Sequence, residues 1–202
     1  MTIAVLAGWI NPIQIFLILL GIVYVITYWS NTLPRVNALA TPSRAIGIFV
    51  ASLLLLAIFK TFLQYLTWSN DEFAKHLLPP HQSWSYFAIY AGGRFWLATL
   101  LGISASALFY FTLRTYVRMR GVTISENHLL IGALCALIVS WPRFVFFVPV
   151  ALTIAVVLTI LNMLVFKRNE VPLQFAFVLG TIVSLVYGTG VLSAIGLSVL
   201  TV

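Results

Sequence analysis

Lys60 and Arg94 are the two ionisable residues that stand inside long apolar runs of this chain. A charge at membrane depth costs about 3 kcal/mol or more, so such residues are functional candidates by default. Lys60 precedes Trp68 by two turns, about 12 Å below the end of its run at 1.5 Å per residue. Gln64 and Thr67 continue the same helical face, making a polar strip that climbs toward the next connection. Arg94 follows Trp84 by nearly three turns, about 15 Å. Gly92-Gly93, directly before it, offers a place for the helix to break and lift the guanidinium to the interface. The plainer reading for Lys60 is a long stem that snorkels to the interface. The functional reading takes Lys60 and Arg94 together. Two cations at one expected depth would bind an anionic group, a lipid phosphate or a carboxylate-bearing solute, with Gln64 as a hydrogen-bonding neighbour.

A second group of chemically capable side chains lies at 69–83, where Asp71, Glu72, Lys75, His76 and His81 cluster. Asp71 or Glu72 as a general base, helped by His76, would suit transfer chemistry on a lipid-linked substrate. The structural reading is a short amphipathic helix. Ser69 or Asn70 caps it, Asp71 and Glu72 occupy its first turn, Pro79-Pro80 ends it, and Phe73, Leu77 and Leu78 rest on the membrane. His76 and His81 do not have the spacing of a helical ligand pair and no third ligand accompanies them, so no metal site is expected. His128, beside Glu126, reads as a solvated residue at a helix start. The single cysteine, Cys135, excludes an internal disulfide and a CxxC redox pair, and reads as a small packing residue. No GxSxG, HExxH, Walker A or paired intramembrane aspartate occurs. No motif fixes a reaction, and no cofactor is implied.

These residues are carried by a chain whose composition is decisive. Of 202 residues, 62% are hydrophobic and 7% charged, and the mean hydropathy is +1.09. A soluble domain is about one quarter charged, so the surface of this one could not be solvated. Soluble enzyme, nucleic-acid binder and disordered tail are excluded, and membrane lipids are the first expected partner. The formal charge of +7 belongs to loop orientation, not to nucleic acid.

A bilayer core about 30 Å thick needs about 20 apolar residues per helix. Polar punctuation divides the chain into six expected spans, 12–29, 45–68, 84–113, 124–141, 145–166 and 173–190, forming a single polytopic domain over 1–202. Thr41-Pro42 reads as a cap and first helical position, and Thr123 with Glu126 as a capping box. The weakest boundary is Trp141-Pro142-Arg143-Phe144, a tight hairpin or a mere kink. Charge favours the hairpin. Six spans put seven basic residues (Arg35, Arg44, Arg114, Arg118, Arg120, Lys167, Arg168) on one side and Lys75 and Arg143 on the other. The positive-inside rule then places both termini outside, and the 69–83 connection with them. Trp29, Trp68, Trp84, Tyr116 and Trp141 fall near span ends, as interfacial aromatics do.

Without a hydrophobic drive between helices in lipid, close approach at small residues must hold the bundle. Four stripes offer it: Gly47 and Ala51; Ala98, Gly102 and Ser106; Gly132, Ala136 and Ser140; Gly180, Ser184 and Gly188. The fifth span lacks one and is expected at the lipid-facing periphery. Tyr187-Gly188-Thr189-Gly190 could unwind the sixth helix to line a site, or fray at the interface. The TVGYG order of a potassium-channel filter is absent.

The expected protein is therefore an all-α bundle of about six membrane helices with a short outer-loop helix, in a prokaryotic inner membrane. It binds or transports an anionic solute or lipid headgroup through a cationic outer-half cavity. The alternatives are a structural subunit, whose Lys60 and Arg94 pair with carboxylates of neighbouring membrane subunits, and a small membrane transferase.

Overall fold

Chain punctuation and helix chemistry agree over most of the computed structural model, which describes residues 10–29, 41–121, 124–166 and 173–196. Of these, 88% are helical and none is in a strand. The helices are α1 (Ile10–Trp29), α2 (Pro42–Asn70), α3 (Trp84–Ala91), α4 (Leu97–Arg120), α5 (Glu126–Val139), α6 (Phe144–Leu161) and α7 (Leu173–Ala194). Arg35, Thr123, Lys167 and Arg168 lie outside the described residues.

Four stretches are long and apolar enough to cross a membrane: Pro42–Asn70, Trp84–Arg120, Phe144–Leu164 and Leu173–Ala194. Ile13–Tyr28 and Glu126–Val139 are shorter apolar helices. The protein is an all-α bundle compatible with an integral membrane location. α2 begins where Thr41 is extended and Pro42 takes the first helical position, as a residue lacking an N–H should. Its 29 residues span about 44 Å, more than a 30 Å core, so tilt or protrusion is built in. α4 ends at Gly121, whose φ of 63° is open to glycine at little steric cost. Arg118 and Arg120 occupy its last turn, where cations favour the dipole.

The centre of the bundle is α5. Every residue from Ile131 to Val139 is buried, and α4, α7, α2 and α1 pack around it. At 14 residues it measures about 21 Å, too short to cross the core unaided. It stops at Ser140, which sits at φ 57°, ψ 177°, a region that non-glycine residues avoid. Trp141, Pro142 and Arg143 form the turn into α6. The doubtful boundary is thus a chain break between two helices, not a kink within one. α6 leaves α5 and packs most extensively on α7.

Three of the four small-residue stripes are buried contacts. A Cβ on Gly102 would lie 2.5 Å from Ser140 Oγ, one on Gly132 would lie 2.7 Å from the Phe177 ring, and one on Gly180 would lie 2.9 Å from Ala151 Cβ. Ser106 Oγ donates to Ala133 O at 2.7 Å, joining α4 to α5. Among the described residues the fourth stripe packs against nothing. Gly47 has no atom within 4 Å of a built Cβ, and Ala51 is exposed. Phe109 of α4 meets Phe144, Phe147 and Phe177 edge-on, the geometry that ring quadrupoles favour. α6 is peripheral as expected, with only Phe147 and Ala151 buried along it. It holds on through Ala151 against Gly180. α7 runs unbroken through Tyr187-Gly188-Thr189-Gly190, so the unwound reading of that segment fails.

Candidate functional site

One pocket of about 310 Å³ gathers side chains from α1, α2, α4, α5 and α7. Both cations singled out from the sequence line it. A third, Arg143, lines it too, and among the described residues no acidic one does.

Each cation is placed by a different device. Lys60 stands on the α2 face that also carries Phe49, Leu53 and Leu56, all lining the pocket. Their spacing of three and four residues keeps them on one side of a helix. Its ammonium donates to Gln14 Oε1 of α1 at 3.2 Å. Gln64, the expected neighbour, is half-buried but does not line the pocket. Gln14 takes the hydrogen-bonding position instead.

Arg94 lies in a π-helical turn, Gly92–Trp96, that joins α3 to α4 without a break. The Leu97 N–H donates to the carbonyl of Gly92, five residues back. The Gly92-Gly93 pair therefore widens the helix and does not end it. Such single-turn bulges insert one residue and re-aim the side chains around it. Trp96 Nε1 in the same turn donates to Thr61 Oγ1 at 3.0 Å, which ties the bulge to α2 beside Lys60. The Arg94 guanidinium also stands 6.0 Å from the centre of the Tyr90 ring, within reach of a cation–π attraction.

Arg143 enters from the turn after α5. Its Cβ, Cγ and Cδ run over Gly188 of α7, 3.4 to 3.7 Å from where a Cβ would stand there. The sequence alone places it in the connection between the fourth and fifth expected spans. The signal available was its position next to Pro142 and within helical reach of no other cation, which says nothing about where the turn folds.

The end of α5 shares the pocket, since Leu137, Ile138, Val139 and Ser140 all line it. A helix C-terminus carries about half a negative charge. It offsets part of one cation and leaves the pocket clearly positive. Thr99 and Thr189 add hydroxyl groups to the lining.

The acidic group of the sequence lies elsewhere. Asp71 Oδ1 accepts hydrogen bonds from the backbone N–H groups of Ala74 (2.8 Å) and Phe73 (3.0 Å). It thereby caps a four-residue 3-10 turn, Ala74–Leu77. Those donors favour the anion and hold its pKa below the usual carboxylate range. The cap is thus Asp71, not Ser69 or Asn70, which both bond back to Leu66 O within α2. Leu78 is buried with Trp68, Phe87 and Ala91, whereas Phe73 is 87% exposed. Glu72 and His76 are exposed. The His76 and His81 rings meet edge-on at 4.6 Å. Among the described residues no three potential metal ligands come together. Glu126, with Tyr110 donating to it at 3.0 Å and Arg114 at 3.7 Å, is likewise outside the pocket.

No family model, curated protein or solved structure matches this chain. The chemistry of the pocket is what carries a functional reading.

Proposed function

We propose that this is a polytopic membrane protein that binds or transports an anionic group through the Lys60–Arg94–Arg143 pocket. One observation carries the reading: three cations from three separate elements line a single pocket that no carboxylate lines among the described residues. Lys60 and Arg143 are half-buried and Arg94 is exposed, and a charge at membrane depth is costly and normally paired. An incoming anion would supply the missing charge, and guanidinium groups suit phosphate or carboxylate in bidentate geometry. In this reading the pocket lies in the outer half of a prokaryotic inner membrane with both termini outside; the excess of basic residues in alternate connections of the sequence supports that orientation.

The test is native mass spectrometry of protein released from nanodiscs, wild type beside a Lys60→Ala, Arg94→Ala double variant. The wild type is expected to retain an anionic ligand that the variant loses. Equal retention by both would overturn the reading. A co-purifying membrane protein bound through these two residues, with no small ligand, would replace it by the structural-subunit alternative.

A further inference from the structure

We infer that the ligand is a phosphate-headed lipid whose chain lies along the pocket-facing side of α2. The inference rests on the anion-binding reading and goes beyond it in two respects, head and chain. The head is assigned by donor number. A carboxylate offers two oxygens, whereas the pocket is lined by Lys60, Arg94 and Arg143, side chains that carry one ammonium and two guanidinium forks. A phosphate head has enough oxygens to engage all three.

The chain is assigned by the shape of the lining. From Lys60 the pocket wall continues along α2 through Leu56, Leu53 and Phe49. That distance is about 16 Å at 1.5 Å per residue. Across from it stand Leu137 and Ile138 of α5 and Leu17 and Ile18 of α1. A hydrated inorganic anion has no use for such a wall. An alkyl chain does, because it is satisfied by apolar contact alone. The opposite face of α2, with Ile48, Leu55, Ile58 and Phe62, is exposed on the bundle surface. The same helix thus offers two apolar faces, and only the inward one leads to the cations.

The two faces give a direct test. Wild-type protein in zwitterionic nanodiscs is irradiated with dodecyl phosphate carrying a mid-chain diazirine, and labelled residues are mapped by peptide mass spectrometry. Labelling is expected at Phe49, Leu53 or Leu56, displaced by unlabelled dodecyl phosphate and lost in the Lys60→Ala, Arg94→Ala variant. Labelling confined to Ile48, Leu55 and Ile58, with inorganic phosphate still bound in a Lys60-dependent way, would overturn the chain assignment and leave the anion reading standing. Inward labelling unchanged in the double variant would overturn both. A Leu53→Trp variant, which fills the wall without touching a cation, is expected to lose dodecyl phosphate labelling at least tenfold while keeping inorganic phosphate.

Discussion

Lys60 Nζ of α2 donates to Gln14 Oε1 of α1 at 3.2 Å, a bond between residues 46 apart in the chain. It satisfies one proton of the ammonium and none of its charge. A neutral amide at this point keeps the pocket cationic. A carboxylate in its place would form an ion pair and occupy the site with the protein's own anion.

Gln14→Glu is therefore expected to fold and to weaken phosphate binding by about tenfold, about 1.4 kcal/mol. Gln14→Leu, which removes the acceptor without adding charge, is expected to cost about 1 kcal/mol of stability and to leave phosphate affinity within a few-fold of wild type. Isothermal titration with inorganic phosphate and thermal unfolding in detergent separate the two. Equal phosphate affinity in wild type and Gln14→Glu would remove Lys60 from the site.

The contrast between Lys60 and Gln14 shows what the sequence makes legible. An ionisable residue in an apolar run is conspicuous by itself, because its cost is local. Gln14 carries no such signal, since its role exists only once α1 and α2 are side by side. Arg143 is hidden for a related reason. Beside Pro142 it reads as a loop charge, and only the folding of the turn over Gly188 brings it to the pocket.

The π turn makes a second prediction. Gly92-Gly93 suggests a break, yet the backbone ladder continues through a bond five residues long. What holds the wide turn against α2 is the Trp96 Nε1 to Thr61 Oγ1 hydrogen bond. Trp96→Phe keeps the ring and removes the donor. It is expected to cost about 1 kcal/mol and to weaken phosphate binding several-fold, because Arg94 loses its anchor. Thr61→Val is expected to reproduce both effects, and the double variant to add nothing further, the signature of one shared bond. Additive losses would show that the two side chains act separately.

Glycine substitutions test the packing. Gly102→Ala drives a Cβ to 2.5 Å from Ser140 Oγ and 3.3 Å from the Trp141 nitrogen, a backbone neighbour that cannot swing away. Overpacking of this kind costs about 1–3 kcal/mol. Gly47→Ala meets nothing within 4 Å among the described residues and is expected to stabilise α2 by about 0.5–1 kcal/mol through helix propensity. Melting temperatures in one detergent should move in opposite directions. Both glycines read alike in the sequence, as members of spaced small-residue stripes. Spacing marks a helix face but cannot say whether a neighbour stands opposite it, and α2 turns its stripe outward.

The cap of the 71–83 connection sets a pH dependence. Asp71 has a lowered pKa in the folded protein, caused first by the Ala74 N–H and then by the Phe73 N–H. A depressed acid contributes stability that is complete above its unfolded pKa of about 3.9 and is lost as pH falls through its folded value. The turn should thus be intact at neutral pH and open only below about pH 4. Amide protection factors of Phe73 and Ala74, followed by NMR from pH 7 to pH 2, are expected to collapse in that acid range. Asp71→Asn should keep the protection and abolish its pH dependence, since the neutral amide oxygen caps equally well. Asp71→Ala should lose the protection at every pH. If Asp71→Asn instead left the acid transition unchanged, a group other than Asp71 would control the turn.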